Sequence, residues 1–176
     1  MVKLRTLDAL AIALLLLWTG MALDFAALAA PALFKVLPSR DLAGQVAAVV
    51  IPRLDYAAFG AFGLALALAY GGRWLQEIGD ALPIGPLRLW SFAAMAGLLL
   101  TFASAFVVTP KIREIRHRMN APIETLAPDH PDRLAHRKAH GLSAQFLALR
   151  MLLALALAAG VAKLPRERAS GAPSEG

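Results

Sequence analysis

Charged residues are almost absent from four long stretches of this chain and crowd into the segments between them. Tyr56 to Gly72 and Leu89 to Pro110 carry no charge at all. Ala9 to Phe34 is interrupted only by Asp24, and Gly141 to Ala162 only by Arg150. A helix that crosses a bilayer needs roughly 20 mostly apolar residues at about 1.5 Å of rise each. The pattern therefore predicts an all-α fold, an integral membrane bundle of four transmembrane helices. The expected spans are about 8–36, 54–71, 87–109 and 141–163, all within a single domain over 1–164. Residues 165–176, rich in Pro, Gly and charge, are expected to form a disordered tail.

Punctuation residues set the expected boundaries. Helix 1 should end at Leu37-Pro38-Ser39, and Asp41 to Val50 should form a short surface helix that stops near Pro52. Helix 2 would then begin after Pro52 and end at Gly71-Gly72, with a turn-rich linker holding Gly79, Pro83, Gly85 and Pro86. Helix 3 should stop at Pro110, and helix 4 should start near Leu134. Between them, Ile112, Ile115 and Met119 oppose Arg113, Arg116 and Arg118, which suits a helix lying in the head-group layer. Small residues recur every fourth position, as in Ala57, Ala61, Ala65 and Ala69 or Ala93, Gly97, Thr101 and Ala105. Such ridges let helix backbones approach closely where no hydrophobic effect drives association.

Composition agrees, with 59% hydrophobic and 17% charged residues against roughly 45–50% and 25% in soluble domains. The net charge of +6 would suggest nucleic acid in a soluble protein. Here the basic residues flank the spans, so lipid head groups account for them and no nucleic-acid partner is expected. The absence of cysteine excludes disulfides, thiolate metal sites and cysteine nucleophiles. Lys3 and Arg5 before an apolar run imitate a secretion signal, but the run is too long and contains Asp24, so a retained first helix is expected. The segments joining helices 1 to 2 and 3 to 4 hold Lys35, Arg40, Arg53, Lys111, Arg113, Arg116, Arg118, Arg133, Arg137 and Lys138, ten in all. The other side holds seven: Lys3, Arg5, Arg73, Arg88, Lys163, Arg166 and Arg168. The positive-inside rule then places both termini outside the cytoplasm.

Ionisable residues within spans are expensive and normally pair or line a cavity. Asp24 shares a helical stripe with Gly20, Ala27, Pro31 and Phe34, and Arg150 shares one with His140, Ser143, Leu147 and Ala154. Asp24 lies ten residues before Phe34, and Arg150 ten residues after His140, which predicts equal depth and a facing Asp24–Arg150 pair. A neutral, hydrogen-bonded Asp24 and a proton-relay role are the alternatives. Arg53 and Asp55, at the expected entrance of helix 2, read as interfacial anchors. His136 and His140 are four apart and share a face, a weak metal candidate beside the simpler reading of solvated interfacial histidines. No serine sits in a nucleophile motif, so neither enzymatic activity nor a cofactor is expected.

Several short segments are similar to one family. Trp18-Thr19-Gly20-Met21 through Ala30-Pro31-Ala32-Leu33-Phe34, Pro52-Arg53, Thr109-Pro110-Lys111-Ile112 and His140-Gly141-Leu142-Ser143 occur in the order seen in the bacterial domain of unknown function 4149 family. That family is related to eukaryotic transmembrane protein 205. The resemblance implies a four-helix bundle in the bacterial inner membrane. It implies no reaction, only the association of the eukaryotic relatives with resistance to platinum drugs. Asp24 stands where the family leads one to expect a large apolar residue, often Phe, and Leu147 where it leads one to expect Asn. Two functions remain in view: a small transport or resistance-associated module, and a structural or accessory membrane protein. The bilayer is the expected partner, a homo-oligomer is compatible with the sequence, and no substrate is named by it.

Overall fold

The computed structural model describes residues 4–76, 84–119 and 121–163, and everything it describes is helix or short connection. Helix 1 consists of an α-helix Leu4–Asp24, a π-helical turn Phe25–Ala29 and an α-helix Ala30–Val36. Helix 2 is one α-helix, Arg40–Gln76. Helix 3 repeats the composite plan of helix 1, with α-helix Ile84–Ala103, π turn Ser104–Val108 and α-helix Thr109–Arg118. Helix 4 is Pro131–Lys163. Each of the four is long and apolar enough to cross a membrane. The expected turn residues Gly79 and Pro83 and the tail 165–176 lie outside the described residues.

Each helix packs against its neighbour in sequence, and helix 4 closes the ring on helix 1, so helices 2 and 4 face each other across a diagonal. The interior is filled by Leu15, Trp18 and Ala22, by Ala58, Ala61, Phe62 and Ala65, by Ala94, and by Ala154, Leu157 and Ala158. Trp18 and Phe62 meet at 5.6 Å between ring centroids, tilted by 59°. Small residues admit these rings: Phe62 lies against Gly97 and Trp90 against Gly160, so closely that a Cβ at either glycine would overlap the aromatic. Leu17, Leu28, Phe92 and Leu99 point outward. In water such exposure would be costly, but toward acyl chains it costs nothing.

Proline accounts for two departures from the expected boundaries, at Pro110 and Pro52. Helix 3 runs through Pro110 as helix 1 runs through Pro31. Each of the latter two prolines follows a π turn whose wider bonds run from Ala30 N–H to the Phe25 carbonyl and from Thr109 N–H to the Ser104 carbonyl. The extra residue absorbs the clash of a proline ring with the carbonyl four positions back. Pro52 sits inside a continuous helix, so Asp41 to Val50 is the first part of helix 2 and no separate surface helix exists there. Membrane helices tolerate prolines where neighbouring polar groups or a local change of winding can satisfy the freed backbone groups.

The segment expected in the head-group layer instead continues helix 3. Ile115 is buried and packs toward helix 4, while Ile112 and Met119 are half-buried. Arg116 on the opposite side donates to the Asp41 carboxylate at 2.6 Å and to the Asp41 carbonyl at 3.0 Å. The amphipathic pattern was matched to two neighbouring helices, which offered it closer partners than lipid. Helix 2 also passes Gly71-Gly72 without stopping, and helix 4 begins one turn earlier than expected, at Pro131. Ser39 ends the break after helix 1 by accepting the Leu42 N–H on its hydroxyl at 3.1 Å.

Candidate functional site

Arg150, the only charge within the fourth apolar stretch, is 2% exposed and points into the bundle. Its Nη1 donates to Asp55 Oδ1 at 2.7 Å across the helix 2–helix 4 diagonal. The same nitrogen lies 3.4 Å from Thr101 Oγ1 on helix 3, and Nε lies 3.4 Å from the Phe146 carbonyl on its own helix. Helix 1 supplies Trp18, whose ring faces the guanidinium at 5.7 Å. A flat cation over an indole face is attracted by the ring quadrupole. Arg150 is therefore touched by all four helices.

Asp55 is the matching acid, 1% exposed. The Ser104 hydroxyl donates to its carboxylate, at 3.1 Å to Oδ2 and 3.4 Å to Oδ1. Ser104 opens the π turn of helix 3, so the turn that accommodates Pro110 also presents this hydroxyl to helix 2. Thr101 donates to the Gly97 carbonyl at 2.7 Å, which orients its lone pairs toward Arg150. Trp18 is fixed by its Nε1, which donates to the Leu54 carbonyl at 2.9 Å. The result is a small polar centre in which the two charges meet each other and further neutral donors and acceptors, as an ion pair needs in order to persist away from water.

A cavity of about 80 Å³ reaches this centre between helices 2 and 3, lined by Pro52, Asp55, Tyr56, Ala105, Phe106, Thr109 and Arg113. Two of the three helical irregularities border it: Pro52 from helix 2, and Ala105 and Phe106 from the π turn of helix 3. Above it, in the first turn of helix 2, the Asp41 carboxylate accepts hydrogen bonds from the Gln45 amide at 2.9 Å and from Arg116 at 2.6 Å.

The domain of unknown function (DUF4149) model matches residues 13–121, well over half of the chain. The chain belongs to this family. No match to a curated protein or to a solved structure was found. In this DUF4149 protein the matched segment contains Trp18, Asp55, Thr101, Ser104 and Arg113, while Arg150 follows it on helix 4.

The expected Asp24–Arg150 pair does not form. Asp24 is exposed and faces outward with Gly20, Pro31 and Phe34, whereas the inward face of helix 1 is Leu15, Trp18 and Ala22. Depth separates the residues as well. Trp18 is level with Arg150, so Asp24 lies six residues beyond it, roughly 9 Å nearer the loop side. Asp55 is not an interfacial anchor: with helix 2 starting at Arg40, it sits 15 residues in, roughly 22 Å from the helix start. Arg53 is exposed and folds back along helix 2, with Nη1 3.5 Å from the Val49 carbonyl one turn nearer the loop side. This is the posture of a snorkelling side chain.

Ser143 is buried and His140 exposed, so the helix 4 stripe splits between bundle and surface. The His136 and His140 rings stack at 6.2 Å and 6° without converging on a common point. Among the described residues no group of three His, Cys, Asp or Glu side chains gathers around a common centre. Asp55 was readable in principle. It begins the series Asp55, Ala58, Phe62, Ala65, an inward stripe that becomes visible once Pro52 is allowed inside the helix.

Proposed function

We propose that this protein is a small membrane transport module whose polar station is the Asp55–Arg150 pair, held by Thr101, Ser104 and Trp18. One observation carries the reading: the carboxylate of a deeply buried ion pair also lines a cavity between two helices. An intramembrane charge that touches a cavity is suited to exchanging its partner for a proton, an ion or a charged ligand group. No enzymatic reaction belongs to this reading, and its partners are the bilayer, in a bacterial inner membrane, and a transported solute. Kinship with transmembrane protein 205 would fit it without naming that solute.

A structural or accessory role is the second reading, favoured by the contact of Arg150 with all four helices, which would make the pair a keystone. Flux in proteoliposomes separates the two. Protons, monovalent cations and amphipathic drugs are offered to vesicles holding the wild type, Asp55→Asn or no protein. Transport predicts flux above empty vesicles that falls at least tenfold in folded Asp55→Asn. Equal flux in all three leaves the keystone reading.

A further inference from the structure

The cavity at Asp55 shares a wall with a second recess. Arg113 lines it and also lines a larger groove of about 610 Å³ on the loop-side surface between helices 2 and 3. The shared Arg113 side chain makes the two neighbours, a cleft in two parts with the buried carboxylate at the inner one and the surface at the outer. Its deep part has room for more than one water, since a single water needs roughly 10–15 Å³ of such volume. The outer part falls within the roughly 300–1,000 Å³ typical of small-molecule sites.

Charge selects the occupant. Asp55 is neutralised by Arg150 at 2.7 Å, and Asp41 by Arg116 at 2.6 Å. Arg113 has no hydrogen-bonding or ion-pair partner among the described residues, and His117 beside it is exposed. The cleft therefore has a surplus guanidinium at its neck and no surplus acid. A guanidinium fork grips a carboxylate or phosphate through two parallel bonds. Val49, Met119 and Ile123 add apolar wall to the outer groove, where a hydrocarbon body would lie.

We propose that this cleft is a loop-side vestibule that binds an anionic amphiphile, head group on Arg113, at the entrance to the Asp55–Arg150 pair. It deepens the transport reading by naming the side of entry and the sign of the solute, and it is measured without flux. The chain contains no cysteine, so one introduced thiol is the only one present. Thr109→Cys and Ala105→Cys, in the deep part, are compared with Phe102→Cys on the outer face, in full-length protein in phosphatidylcholine nanodiscs. The probes are the anionic sulfonatoethyl and the cationic trimethylammonioethyl methanethiosulfonates.

Both vestibule thiols should react with the anionic reagent at least tenfold faster than Phe102→Cys. Adding Arg113→Gln should slow that reaction at least fivefold and leave the cationic reagent no slower. Arg113 is exposed, so its variant is expected to keep the wild-type melting temperature, which is checked in parallel. Octanoate added to the buffer, or phosphatidylglycerol mixed into the nanodisc, supplies the head group from water or from lipid. Protection by either supports the vestibule and identifies the source. Equal reactivity at all three sites, or protection that survives Arg113→Gln, overturns it. Absent flux with intact labelling would instead count against the transport reading alone.

Discussion

At Arg150 and Asp55 the energetics are those of a pair that is tolerable together and costly apart. Removing one member of a buried ion pair typically costs ~3–5 kcal/mol, because the other charge is stranded. Asp55→Asn and Arg150→Gln should each lower the melting temperature in detergent, and the double variant should recover much of the loss. Additive losses in that cycle would refute the coupling. Asp24→Asn is the contrasting case: it faces outward with no bond to lose, so its melting temperature should stay at the wild-type value. A drop as large as that of Asp55→Asn would mean that Asp24 has a partner in the intact protein. The right cation was legible from sequence because Arg150 interrupts an apolar run. The acid was not, because proximity to Pro52 disguised Asp55 as a helix end.

Among the elements, span number and the apolar middle of each helix followed from apolar length alone, but only about half of helix 2 was included. What the sequence concealed was how the helices pass their prolines. A proline reads as a stop in water, where the freed carbonyl is solvated, but Pro31 and Pro110 are passed by π turns and Pro52 sits within a continuous helix. Small residues were legible as ridges but not as partners of particular rings. Gly97 accepts Phe62 and Gly160 accepts Trp90, so Gly97→Leu and Gly160→Leu should each cost ~1–3 kcal/mol through overpacking. Gly20 has nothing within 4 Å of an added Cβ, and Gly20→Leu should lose no stability. Melting curves of the three variants test whether helix contacts lie where the ring positions put them. Equal losses at all three would show that they do not.

For the molecule as a whole, four crossings return both termini to one side, leaving orientation to the distribution of basic residues. On the loop side helices 3 and 4 carry charge beyond their apolar stretches, from Lys111 to Arg118 and from Arg133 to Lys138. Together with Lys35, Arg40 and Arg53 this gives ten basic residues against seven on the side of the termini. Arg53 belongs with the ten although its backbone lies deep in helix 2, because its side chain reaches back toward the loop side. Positive residues near span ends resist translocation, so the loop side should face the cytoplasm, and with it the cleft beneath Arg113. Alkaline phosphatase fused after the C-terminus should then be active and a fluorescent protein fused there dark. The opposite pattern would reverse the orientation and open the cleft to the exterior. In that case Thr109→Cys would react in intact cells with reagents that do not cross the membrane, whereas the orientation argued from charge leaves it protected until the cells are opened.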